Sequence, residues 1–169
     1  EIYEDSDREG IFVETSWAYD VTDQAAVREA ADYLLKVRVK EKGEAKYFTE
    51  NQTMPSTPYR LEVVEVLWNG DGSIPEKINL VIGGGEVSAQ EYIDTLDEET
   101  LVKMGANTLA DTQQKEPVCI YDDSYYELKQ NQEYCIYVRD LTKDENYKGY
   151  YGIPAGGYGV FEKRDEAYV

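Results

Sequence analysis

The stretch between Thr57 and Gly85 reads as a long strand, a glycine-rich turn and a second strand. Tyr59, Leu61 and Val63 alternate with Arg60 and Glu62, then the alternation slips by one at Val63-Val64, and Val64, Val66 and Trp68 carry the apolar phase. Successive strand residues face opposite sides of a sheet, so such a slip would turn the core side outward. A β-bulge lets one strand keep its core contact through it. The pattern predicts a bent strand, a turn at Gly70-Asp-Gly72, a second strand from Ile78 and a corner at Gly83–Gly85. Bends of this kind suit a small closed or half-closed barrel.

The same period of two recurs upstream, where Tyr33, Leu35, Val37 and Val39 alternate with Lys36, Arg38 and Lys40. This predicts a half-buried strand with a wet, basic outer face, ending in a turn over Lys40 to Glu44. Before it, Val27, Ala30, Ala31 and Leu34 fall at helical spacing. Thr22 is the expected N-cap of a helix running to Asp32, with Asp23 at the positive end of its dipole. Tyr47-Phe48 begins a return strand, followed by a polar loop from Thr49 to Pro58. Asp97 to Gly105 reads as a short helix with an acidic first turn. Strand character returns at Val118–Tyr121 and Tyr134–Val138, and Tyr150 to Phe161 reads as short strands broken by glycine corners.

The expected fold is mainly β, a β-dominated α+β chain. It is a small antiparallel, partly closed barrel with one N-terminal helix and a short helix in a long connection. The expected organisation is a single domain over 1–169, with an extended arm at 1–20, a barrel core at 22–162 and an insertion at 86–116. Ile11 to Val13 is the arm's one apolar run and its candidate edge strand.

Composition narrows the chemistry. Against 17 basic residues stand 35 acidic ones, a formal net charge of −18. A polyanion repels nucleic acid and anionic lipid, because phosphate binding needs Lys and Arg to displace counterions; neither is expected as a partner. No stretch reaches the roughly eighteen apolar residues of a membrane helix, so no membrane insertion is expected. Histidine is absent, which removes Ser-His-Asp and Cys-His nucleophiles and imidazole-ligated metals. Cys119 and Cys135 alone assemble no Cys-only metal site. Two free, half-buried thiols are favoured over a bridge, since the turn Lys129-Gln-Asn-Gln132 would set Tyr126, not Cys119, opposite Cys135. The chain opens at Glu1 without methionine, which fits a removed signal or lipoprotein leader and fits an arbitrary boundary equally.

Several motifs invite chemistry. Gly83-Gly-Gly85 follows a strand but lacks the spacing of either phosphate-binding motif, and a corner requiring close backbone approach is the better reading. Asn69-Gly-Asp-Gly-Ser73 has calcium-loop residues without the ligand spacing, and it is also a strong hairpin signal. Asp122-Asp123, Asp94 with Asp97-Glu-Glu99, and Asp140 with Asp144-Glu145 are acidic groups of the kind a glycan hydrolase pairs. In so acidic a chain they also arise by chance. Asn51-Gln-Thr53 is a glycosylation sequon, relevant only in a eukaryotic secretory host. No metal site and no cofactor are expected, and no catalytic residue is assigned.

Tyrosine is the positive signal. Of 16 tyrosines, Tyr147, Tyr150, Tyr151 and Tyr158 crowd the last quarter, with Tyr125-Tyr126 before them. Tyrosine joins a broad apolar face to a polar tip and is enriched at interfaces and sugar-binding faces, but it also suits strands and barrel rims. Tyr147, Tyr150, Tyr151 and Tyr158 are the candidate ligand-binding residues.

Taken together, the helix ending in Ala31-Asp32, the strand Tyr59 to Gly70, the strand Ile78 to Gly85, Glu133-Tyr-Cys-Ile-Tyr-Val138 and the terminal Gly156-Gly-Tyr-Gly-Val160 resemble a β-barrel domain of secreted and lipoprotein-anchored bacterial proteins. That domain is similar in outline to oligonucleotide/oligosaccharide-binding barrels and to the inhibitor barrels of the tissue metalloproteinase inhibitor class. The N-terminal cysteine that such inhibitors place on the metal is missing. The resemblance implies an extracellular, cell-surface setting, compatible with a lipid anchor upstream, and no established catalytic residues. The expected function is a non-enzymatic module that binds a protein or glycan at the cell surface. The alternatives are a carboxylate-dependent glycan hydrolase and a structural spacer of a larger surface protein.

Overall fold

The strand predicted from Tyr33 onward is the staff on which the barrel is built. The computed structural model describes residues 10–13, 15–50, 52, 54–69, 73–104, 115–164 and 167–169. In chain order the elements are β1 (Ile11–Phe12), α1 (Gln24–Ala30), β2 (Tyr33–Lys42), β3 (Ser56–Asn69), β4 (Lys77–Gly83), β5 (Gly85–Ser88), α2 (Ala89–Ile93), α3 (Glu98–Met104), β6 (Pro117–Tyr121), β7 (Glu133–Asp140), β8 (Tyr150–Gly152), a 3-10 turn (Gly156–Gly159), β9 (Val160–Arg164) and β10 (Ala167–Tyr168).

Five strands close into a mixed barrel in the order β2-β3-β4-β8-β7 and back to β2. The mainly β barrel expected from the sequence is there, and two details correct the expected antiparallel, partly closed form. The β4–β8 pair is parallel, and the ring is complete, because β8 also pairs with Arg139 and Asp140 at the end of β7. The first half of that same β7 edge is taken by β9. The chain therefore runs along β7 in two pieces, leaving the barrel between them through the glycine-rich 3-10 turn.

Period two fills the interior. Tyr33, Leu35, Val37 and Val39 of β2 are buried with Leu61, Leu80, Ile136, Val138 and, from the connection before β7, Leu128. Each fully buried aliphatic side chain contributes roughly 1.5–3 kcal/mol. The outer face of β2 is basic as predicted and meets acid on both sides: Arg38 pairs with Glu133 of β7 at 2.9 Å, and Lys40 with Glu62 of β3 at 3.1 Å. Such half-exposed pairs are worth about 0–1 kcal/mol each. They favour the register more than they stabilise the fold. The strand runs on to Lys42, through the expected turn.

The bulge at Val63-Val64 is present. Lys36 pairs with Glu65 and Val37 with Val63, leaving Val64 without a partner; further shifts leave out Leu67 on β3 and Lys40 on β2. Its consequence differs from the expectation. Pairing of β3 with β4 ends at Glu62–Lys77, and beyond that point β3 continues beside β2 alone. Val64 and Val66 are therefore 43% and 42% exposed; only Trp68 of the predicted apolar trio reaches a core, packing toward α1. The turn at Gly70–Gly72 lies outside the described residues.

At the other end of β4, Gly84 takes φ +96°, and a Cβ there would run into the Tyr125 ring. Its N–H donates to Pro55 and its carbonyl accepts from the Thr57 hydroxyl at 2.7 Å. The glycines thus form a corner, where the chain leaves the barrel for a three-stranded sheet, β1-β6-β5, with β1 parallel to β6. Val87, Tyr92 and Ile120 centre a small core beneath it, with Ile11, Val13 and Tyr47 packed on. The arm supplies β1 as an edge strand; residues 1–9 and Glu14 lie outside the described set.

Local details around the helices differ in part. The α1 cap is Asp23, whose side chain accepts the Ala25 N–H, while Thr22 hydrogen-bonds Asp20. Val27 and Ala31 are buried as the stripe requires, but Leu34 joins them from β2. Helix α2 was not signalled by periodicity; Ser88 and Glu91 close a capping box at its start. Helix α3 carries the predicted Asp97 cap, accepting the Thr100 N–H at 2.7 Å, and Gly105 lies outside the described residues. Finally, β6 and β7 form no hairpin. Cys135 pairs with Lys36 and Phe161, Cys119 with Glu86 in the other sheet, and no disulfide joins them.

Candidate ligand-binding face

One register line crosses four barrel strands on the outside. Glu41 of β2 pairs with Arg60 of β3, Arg60 with Asn79 of β4, and Asn79 with Tyr150 of β8. The next line, Lys42-Tyr59-Leu80-Tyr151, turns Tyr59, Leu80 and Tyr151 into the core. Alternation along each strand explains both lines at once. The outer line presents a carboxylate, a guanidinium, an amide and a phenol ring. Arg60 lies 3.5 Å from Glu41, and the four residues, with Gly43, Pro58 and Tyr59, line a cavity of about 170 Å³.

Aromatic side chains stand beside it. Phe48, from the β2–β3 connection, stacks on Tyr147 with ring centres 5.3 Å apart and meets Tyr150 edge-on at 5.3 Å. The Lys46 ammonium sits 4.8 Å from the Phe48 ring, a cation–π contact that leaves the charge at the surface. Both connections are held by their own hydrogen bonds. The Phe48 N–H donates to Gln52, whose amide donates to Ser56. In the β7–β8 connection, Asp140 accepts from Thr142 and Asp144 from Asn146, while the Tyr150 N–H reaches the Tyr147 carbonyl. Burial pushes the Tyr147 hydroxyl pKa up, helped by the Asp144 charge, so this group remains a neutral hydrogen-bonding phenol at ordinary pH.

The four candidate tyrosines therefore separate. Tyr147 and Tyr150 come together around Phe48. Tyr151, its neighbour in a strand, faces inward and is 7% exposed, edge-on to Tyr33. Tyr158 lies on the α1 side, packed toward Val27 and Ala31, with its hydroxyl donating to Asp123 at 3.2 Å. Phe48, Glu41, Arg60 and Asn79 were not singled out by the sequence, because each gains meaning only from pairing across strands. The phase of Arg60, opposite to Tyr59 and Leu61, was the one available signal.

The aspartates of the acidic groups have partners of their own. Asp122 is buried and accepts from Thr15, from the Ser124 N–H and from the Ser124 hydroxyl. Asp94 accepts from Gln90, and Asp97, Asp140 and Asp144 hold turns or a helix start. Among the described residues no group of three or more Cys, Asp or Glu side chains is placed to hold a metal ion. Most of the 69–73 loop and the sequon residues Asn51 and Thr53 lie outside the described residues. Among the described residues no helix is long and apolar enough to cross a membrane. No protein-family model, curated protein or solved structure matches this chain.

Proposed function

We propose that the chain is a non-enzymatic binding module whose ligand, a glycan at an extracellular bacterial cell surface, lies along the Glu41-Arg60-Asn79-Tyr150 line. The observation that supports this reading most is the line itself. Stacking surface at one end and charged or amide hydrogen-bonding groups at the other match a sugar, which has apolar ring faces and hydroxyl edges. The strand order supports it too. A five-stranded barrel with one parallel pair resembles the oligonucleotide/oligosaccharide-binding type, where ligands lie on the second and third strands between the first-second and fourth-fifth loops. Here β3 and β4 carry Arg60 and Asn79, and the corresponding loops carry Phe48 and Tyr147. With a net charge of −18, an oligosaccharide suits the face better than an oligonucleotide.

The test is a glycan array probed with the wild-type chain, Tyr150→Ala and Arg60→Ala, alongside a pull-down from cell-surface extract. Saturable binding of defined glycans, weakened about tenfold or more by either substitution, is expected. A wild-type chain that binds no glycan, or substitutions that leave binding unchanged, would overturn the proposal. Capture of a surface protein through the same residues would move the ligand class from glycan to protein.

A further inference from the structure

A second cavity, of about 320 Å³, opens between the approach to α1, the 123–126 segment, the 3-10 turn and β9. This is within the roughly 300–1,000 Å³ usual for small-molecule pockets. Among the described lining residues the aromatics are Tyr125, Tyr126, Tyr158 and Phe161, and the ionisable side chains, besides those phenols, are Asp123 and Glu162. Among the described lining residues none is Lys or Arg, and among the described residues no cation lies within ion-pair distance of either carboxylate.

The cavity is a built feature of the fold. Buried Asp122 gathers Thr15 and Ser124 by hydrogen bonds, fixing the turn that carries Asp123. The Gly157 N–H donates to the Ser124 carbonyl at 2.6 Å, and a Cβ on Gly156 or Gly157 would collide with Ser124. The 3-10 turn is thereby drawn against that segment, with Tyr158 next to Asp123.

Ligand chemistry follows from the lining. An anion would meet two carboxylates. An uncharged apolar ligand would strip water from Asp123 and Glu162 and return nothing to them. A cation is attracted by the carboxylates and by the electron-rich faces of aromatic rings. A primary ammonium presents three N–H donors that must each find an acceptor, whereas four aromatic residues and three valines make up most of the described lining. A methylated ammonium spreads its charge over methyl groups and needs no acceptor. We propose that this cavity binds a small organic cation bearing a methylated ammonium group, independently of the glycan face.

The experiment titrates the chain with choline, and separately with its uncharged isostere carrying carbon in place of nitrogen, following backbone amide shifts by NMR. It is run near physiological salt, where charges beyond about 8 Å are screened. Expected are saturable choline shifts centred on Gly157, Tyr158 and Phe161, binding of the isostere at least about tenfold weaker, and a loss of about fivefold or more in Asp123→Asn. Equal binding of the isostere, no saturable choline binding, or choline shifts scattered over the acidic surface would each overturn the proposal. The isostere comparison uses the wild-type chain, so it decides the matter even where Asp123→Asn folds poorly; a folded Asp123→Asn that binds choline undiminished also overturns it.

Discussion

Tyr150 and Tyr151 are neighbours in one three-residue strand, and the structure gives them opposite tasks. Tyr150 closes the outer line from Glu41 through Arg60 and Asn79, and Tyr151 closes the inner line through Tyr59 and Leu80. The two lines share strands and hydrogen-bond ladders. They occupy opposite sides of the sheet. One is solvated and chemically varied; the other is held by packing. A tyrosine count near the C-terminus cannot tell these apart, but strand periodicity can.

The largest expected effect comes from breaking the inner line. Tyr151→Ala should lower stability by about 3–5 kcal/mol, the usual cost of truncating a large buried aromatic, read as a drop in urea midpoint. Tyr59→Phe is the subtler cut. Its hydroxyl accepts the buried Leu128 N–H at 3.2 Å, and leaving that donor unsatisfied should cost about 1–3 kcal/mol. The same hydroxyl gives the inner line a pH signature. Burial raises its pKa well above the ordinary value, so the folded chain holds this proton more tightly than the unfolded chain. The contribution is complete below about pH 10 and is lost as pH climbs through the folded-state value. A urea midpoint that falls once pH rises above about 10, and less steeply in Tyr59→Phe, is expected.

Away from both lines, Asp23→Ala should cost about 1 kcal/mol by removing the α1 cap, a control for local effects on thermal unfolding. The outer line should give the smallest stability changes. Tyr150→Ala and Arg60→Ala are expected within about 0.5 kcal/mol of wild type. A much larger loss in Arg60→Ala would mean that the outer line is structural after all.

The legible parts of the sequence were those set by local period and local caps. Alternation found β2 and the β3–β4 hairpin, and the slip at Val63-Val64 found a bulge. The exposure of Val64 and Val66 was not legible, because it depends on where β4 stops pairing, which no property of β3 fixes. The capping box at Ser88 and Glu91 was in plain sight but introduces a helix too short to show a period. The parallel β4–β8 closure and the Glu41-Arg60-Asn79-Tyr150 line join residues about twenty to over a hundred positions apart, and only the folded register puts them together. The opposed facing of Tyr150 and Tyr151, by contrast, follows from the strand character of their segment alone.

The most direct test of the central claim sets wild type, Tyr150→Ala and Tyr158→Ala side by side on one glycan array. Defined glycans bound by wild type, lost about tenfold or more in Tyr150→Ala and kept in Tyr158→Ala, are predicted. No bound glycan, or a glycan still held by Tyr150→Ala, would contradict the assignment of the outer line as the ligand face.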